Sequence, residues 1–125
     1  MKILILKNKK NVAKKAAKIV EDQIKKNPAC NLGLATGKTM IPLYKELSSM
    51  INKNKTDLSK VKTFNIDEYL NLSERNKNSY HSYMKRLFFN MINIEPENIY
   101  FPSKLNYDNL IKKSGLLEFL DKELN

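Results

Sequence analysis

Short apolar runs alternate along this chain with longer stretches in which apolar residues recur every three to four positions, and that alternation constrains the fold more than any other feature. Met1 to Leu6, Asn31 to Ala35 and Val61 to Ile66 have the length and the aliphatic or β-branched content of strands buried in a sheet. From Asn11 onward Val12, Ala16, Ile19, Val20 and Ile24 trace one face of a helix, which Asn27-Pro28 ends because proline cannot continue the ladder. Leu43, Tyr44, Leu47, Met50 and Ile51 give a second amphipathic helix. Ser79 is placed to cap a third, whose apolar face is Tyr80, Tyr83, Met84, Leu87, Phe88, Met91 and Ile92. Ile94 to Pro102 holds two prolines and reads as an extended connector. Asn106 begins a last helical stretch, interrupted at Ser114-Gly115 and resumed through Leu116, Leu117, Leu120 and Leu124.

A strand followed by a helix and then another strand, at this spacing, implies right-handed crossovers and parallel pairing. The expected architecture is an open, mostly parallel, Rossmann-like α/β sheet with helices on both faces, truncated after the fourth helical segment. A length of 125 residues suits one such domain, spanning 1–125, and not two.

Charge and composition narrow the partners. The net charge is +10, yet of the 23 basic residues only Arg75 and Arg86 are arginine. Nucleic-acid sites favour the arginine fork, and no binding signature of that kind is present, so a lysine-rich surface that attracts anionic metabolites is the better reading. The opening apolar run is far too short for a signal-peptide core or a membrane span, which makes a cytoplasmic location the expectation. Cys30 is the single cysteine; it has no internal disulfide partner and no metal-ligand spacing around it, in keeping with a reducing compartment.

In open α/β sheets ligands bind beyond the carboxyl ends of the strands, and two polar clusters fall there. Thr36-Gly37-Lys38-Thr39 lies between a strand and a helix, where backbone N–H groups and the positive end of the helix can cradle a phosphate, with hydroxyls and Lys38 adding donors. The same residues also suit a plain N-cap and a tight bend. They do not form a Walker loop, because Asn31 and Leu32 stand where its upstream glycine would be. Asp67-Glu68 ends the strand at 61–66, and carboxylates there can supply a general base, a metal ligand or loop caps. Neighbouring strand residues point in opposite directions, so the two cannot serve one site equally. His81, the only histidine, lies beside an apolar helix face and reads as a surface or packing residue; the aromatic stripe from Tyr80 to Phe89 reads as core.

Taken in order, Gly33-Leu34-Ala35-Thr36-Gly37-Lys38-Thr39, Leu43-Tyr44-Lys45-Glu46-Leu47 and Thr63-Phe64-Asn65-Ile66-Asp67-Glu68-Tyr69 resemble the glucosamine-6-phosphate deaminases. Asn78-Ser79-Tyr80, Tyr83-Met84, Phe88-Phe89 and Ile94-Glu95-Pro96-Glu97-Asn98-Ile99 continue the resemblance as far as about Pro102. The Phe-Asn-Ile-Asp-Glu-Tyr run is its specific element; the phosphate loop alone would also suit the related 6-phosphogluconolactonases. The resemblance implies conversion of glucosamine 6-phosphate and water to fructose 6-phosphate and ammonia, with no cofactor and no metal. It makes Asp67 the enolisation base that moves a proton between sugar carbons 2 and 1, a task that partial burial would favour by raising its pKa. It makes Thr36, Gly37, Lys38 and Thr39 the holders of the sugar phosphate, with Glu68, Tyr69 and Tyr80 in support.

Three departures stand out. Lys38 replaces a small residue, and Met40 stands where proline commonly opens the following helix. The family's ring-opening segment, Asp-Gly-His with a glutamate soon after, has no counterpart in Leu116 to Asn125. The expectation is therefore a truncated or split deaminase, acting as a homo-oligomer or with a complementing chain that supplies the C-terminal half. The alternative is a phosphosugar-binding or regulatory module, or a 6-phosphogluconolactonase-like protein.

Overall fold

The computed structural model describes residues 3–69 and 71–102. Six elements follow in the order α1 (Lys9–Lys26), β1 (Asn31–Leu34), α2 (Ile41–Asn54), β2 (Lys62–Asn65), α3 (Tyr80–Leu87) and β3 (Ile99–Tyr100). Short 3₁₀ turns occupy Lys38–Met40, Phe89–Met91 and Pro96–Asn98. The last helical stretch read from the sequence lies outside the described residues.

The sheet is parallel throughout, in the order β1-β2-β3, with Leu34 beside Asn65 and Thr63 beside Ile99. Strand side chains alternate between faces, so Leu32, Leu34, Val61, Thr63, Asn65 and Ile99 share one side. That side meets the core, built from Ala17 and Ile24 of α1, Tyr44, Leu47 and Ile51 of α2, and Met84, Phe88 and Phe89 around α3. The opposite side carries Asn31, Gly33, Lys62, Phe64 and Tyr100, all exposed, with the Phe64 and Tyr100 rings stacked at 4.7 Å. The open parallel α/β sheet is as read from the sequence, but among the described residues the helices cover one face of it.

Other differences have physical causes. Ile3, Leu4, Ile5 and Leu6 were expected in a strand, yet they pair in no strand and are exposed, Ile5 by 93%. A strand is held by a ladder partner, and this run has none in the described sheet, so apolar content alone does not place it. Ile94 to Pro102, read as a connector, contains β3; two residues of ladder are too few to give a periodic signal. On α1 the buried stripe is Ala13, Ala17, Glu21 and Ile24, while Val12 and Ile19 stay about half exposed. The helix turns its small residues toward α2, and a buried carboxylate sits in a stripe that an apolar pattern cannot reveal.

The helix boundaries follow capping chemistry. The Asn8 side chain accepts the Asn11 N–H at 2.9 Å and opens α1, and Pro42 in the first turn of α2 supplies the preset φ that Met40 does not. Ser79 caps α3 as expected: its hydroxyl accepts the Ser82 N–H at 3.0 Å and donates to the Glu74 carbonyl at 3.1 Å. Ser79 is fully buried, so Ser79→Ala leaves both groups without this partner. A loss of about 1–2 kcal/mol is expected, read as a lower denaturant midpoint at unchanged slope.

Candidate functional site

Because β1 and β2 are adjacent and parallel, with Leu34 opposite Asn65, the segments that leave them emerge side by side at one edge of the sheet. The first carries Thr36 to Thr39 and the second Asp67 to Tyr69. Asn65 ties the two strand ends together, its buried amide donating to the Leu34 carbonyl at 3.1 Å.

The segment after β1 turns sharply at Gly37, whose φ of 124° and ψ of 155° lie in a region that L side chains rarely adopt. Nothing lies within 4 Å of where a Cβ would stand on Gly37, so backbone conformation and not crowding demands the glycine. The turn runs through Lys38–Met40 directly into α2; the Met40 and Ile41 N–H groups bond the Gly37 and Lys38 carbonyls, so the positions with no preceding helical carbonyl to bond are Lys38 and Thr39.

After β2, Asp67 and Tyr69 are exposed and Glu68 is half-buried. The direction of Glu68 is set by α3: one carboxylate oxygen accepts the N–H groups of Tyr69 and Tyr80, both at 2.9 Å, and the other accepts the N–H of His81 at 2.8 Å. Glu68 is thus a cap for the positive end of α3. That bond network brings Tyr80 over Tyr69, with ring centroids 4.8 Å apart and phenol oxygens at 3.3 Å. The Tyr80 phenol is held above its ordinary range, first by the hydrogen bond and charge of Tyr69, then by burial and the Asp67 carboxylate, while the Thr36 hydroxyl pulls the other way.

Tyr69 and Tyr80 therefore meet at the edge from which the segments of Thr36 and Asp67 also leave the sheet. Lys38 and Thr39, next along the turn, also border a groove of about 820 Å³ with Leu6, Val12, Pro42 and Leu43. Asp67 is exposed, so the partial burial expected for an enolisation base is not supplied by the described residues; Ile66 beside it is 83% exposed and the strand end is open. His81 packs edge-on against Phe101 with centroids 5.0 Å apart, a packing residue as expected. Among the described residues no three His, Cys, Asp or Glu side chains are grouped to hold a metal ion.

Two residues of the site were assigned to the core by sequence. Tyr83 of α3 donates to the Gly37 carbonyl at 2.8 Å, and Tyr44 of α2 donates to the Ala35 carbonyl. Burial pushes the Tyr44 phenol up to about 12, which keeps it a donor. Apolar periodicity predicts where a tyrosine ring packs; it carries no information on where the hydroxyl at its tip ends.

A parallel sheet with two polar loops converging at its carboxyl edge defines an α/β protein of the kind that binds small ligands there. The chain belongs to the glucosamine-6-phosphate isomerases/6-phosphogluconolactonase family, whose model matches residues 7–113. It is 45% identical over 124 residues to a glucosamine-6-phosphate deaminase of Clostridium botulinum, an alignment covering 92% of this chain and 50% of that one. To the corresponding deaminase of Mycoplasma mycoides it is 42% identical over 118 residues, covering 94% and 48%. A solved monomeric glucosamine-6-phosphate deaminase superposes with a TM-score of 0.80 at 31% identity, covering 92% of this chain and 52% of that structure. The chain thus spans about half the length of the curated relatives it matches.

Proposed function

We propose that residues 1–125 form the N-terminal part of a glucosamine-6-phosphate deaminase domain, in which the turn at Thr36 to Thr39 holds the sugar phosphate and Asp67 is the enolisation base. One observation carries this reading: in a chain of this family, the segments bearing Thr36 to Thr39 and Asp67 to Tyr69 leave two adjacent parallel strands at one carboxyl edge, where Tyr69 bonds Tyr80. The loop N–H groups and hydroxyls suit a dianionic phosphate, and an exposed carboxylate beside them can reach a carbon of the same small molecule. Glu68 acts through α3, which it caps, and Tyr80 adds a phenol at the same edge, bonded to the Tyr69 hydroxyl. The partner is then a sugar phosphate, and the reaction uses proton transfers between carbon and carboxylate.

Binding tests this directly. Titration calorimetry with fructose 6-phosphate and with inorganic phosphate should show weak binding by the chain. The double variant Lys38→Ala, Thr39→Ala should lower that affinity by roughly tenfold or more, the effect of losing charge-assisted donors. Equal affinity in the double variant would remove these two residues from the site.

A further inference from the structure

We infer that Tyr83 is a positioning residue for the anion-binding turn, fixing through its hydroxyl the peptide plane whose N–H faces the ligand. The inference rests on the reading of Thr36 to Thr39 as the phosphate-binding turn and adds to it a residue that lies on another helix. Its basis is the occupancy of a single carbonyl. The Gly37 oxygen accepts the Met40 N–H at 3.1 Å and the Tyr83 hydroxyl at 2.8 Å, so both of its lone pairs are used. A peptide unit is planar and trans, which sets its C=O and N–H in opposite directions. Holding the Gly37 oxygen against α3 therefore turns the Lys38 N–H away from α3. Tyr44 does the same two peptide units earlier: its bond to the Ala35 oxygen directs the Thr36 N–H away from α2.

The glycine makes such a clamp necessary. With φ at 124° and open space around its α-carbon, Gly37 has no side chain and no packed neighbour on that side to hold its conformation. Glycine loses more conformational freedom on ordering than any other residue, so a flexible turn would have to be ordered by the ligand at a cost in affinity. The Tyr83 hydroxyl removes part of that freedom before the anion arrives. The same helix is tied at its first turn to Glu68, next to Asp67. α3 is thus a strut between the carboxylate loop and the phosphate turn, and it sets their separation.

The test uses Tyr83→Phe, which keeps the ring and deletes only the oxygen, and Asn52→Ala as a control. Asn52 donates to the Met91 carbonyl at 2.8 Å, so its variant also loses one hydrogen bond but leaves the turn untouched. Tyr83→Phe is expected to weaken binding of inorganic phosphate about three- to tenfold, while Asn52→Ala leaves it unchanged. In the ligand-free chain, amide exchange at Lys38 and Thr39 should be faster in Tyr83→Phe and unchanged in Asn52→Ala. Unaltered exchange at both amides in Tyr83→Phe, or an equal loss of phosphate affinity in the two variants, overturns the inference. If the unmodified chain binds no phosphate, the functional reading of the turn fails instead, and the exchange measurement still decides whether Tyr83 holds it.

Discussion

Incubated alone with glucosamine 6-phosphate, the 125-residue chain is expected to release no ammonia above background, although Asp67 is present and open at the strand end. The resemblance places ring opening on an Asp-Gly-His segment, and the sequence contains none: its single histidine, His81, packs on Phe101. Only an open-chain sugar exposes carbon 2 to a base, so the carboxylate has no proton to take while the ring stays closed. When the chain is fused in frame to the remaining half of the Clostridium botulinum relative, ammonia release should appear. In that fusion Asp67→Asn should lower kcat by roughly 10²- to 10⁴-fold, the usual effect of removing a general base. Affinity for fructose 6-phosphate should change little, because Asp67 lies outside the turn proposed to hold the phosphate. The losses from base and ring-opening groups are not additive, since groups that act as a unit fail together. The measurement is a coupled ammonia assay. Turnover by the chain alone that disappears in Asp67→Asn would show that ring opening needs nothing beyond these residues.

The parts of the fold legible in the sequence are those that rest on local chemistry. Ser79 was readable as a cap because serine before an apolar helical stripe has one geometric use, and its hydroxyl accepts the Ser82 N–H accordingly. Strands at Asn31 and Val61 were readable from β-branched and apolar runs bounded by polar residues, and the structure pairs them in parallel. What failed depends on partners distant in sequence. An apolar run such as Ile3 to Leu6 says nothing of whether a neighbouring strand exists, and β3 is too short to carry a period. The candidate site divides in the same way. Its location followed from topology, since parallel crossovers bring the ends of β1 and β2 to one edge. Its internal wiring did not, because Tyr44 and Tyr83 count as apolar in any periodicity while their hydroxyls reach carbonyls 9 and 46 positions away. Glu68 was open to three uses in sequence, and only the position of α3 selects the capping one.

The largest effect on stability should come from Glu21, which no apolar pattern singles out. Its side chain is fully buried between α1 and the end of α2, where one carboxylate oxygen accepts from the Asn54 amide at 2.8 Å, the Thr56 hydroxyl at 2.7 Å and the Lys25 ammonium at 3.1 Å. The other oxygen has no hydrogen-bond partner among the described residues. Burial by itself pushes this carboxyl up, but the bonds from Asn54, Thr56 and Lys25 together outweigh it and hold the group below its ordinary value. A carboxylate whose folded pKa is depressed contributes stability above the unfolded pKa of about 4.3, and that contribution is lost as pH falls through the lower folded value. Glu21→Ala strands the Asn54 and Thr56 donors and opens a void, and a loss of about 3 kcal/mol is expected, on the order of 10 °C in Tm. Glu21→Gln keeps an acceptor for both donors but gives up the charge and sets an amide N–H₂ where the second oxygen found no partner. About half the loss should remain in it. Lys25 is 45% exposed and its pairing is screened, so Lys25→Ala should cost much less than either. Thermal melts between pH 7 and pH 3 separate the contributions. The unmodified chain should lose stability steeply below about pH 4.3, and Glu21→Gln should flatten that acid limb. An acid limb identical in both would mean that Glu21 has the same pKa folded and unfolded, so that its bonds from Asn54, Thr56 and Lys25 only offset its burial.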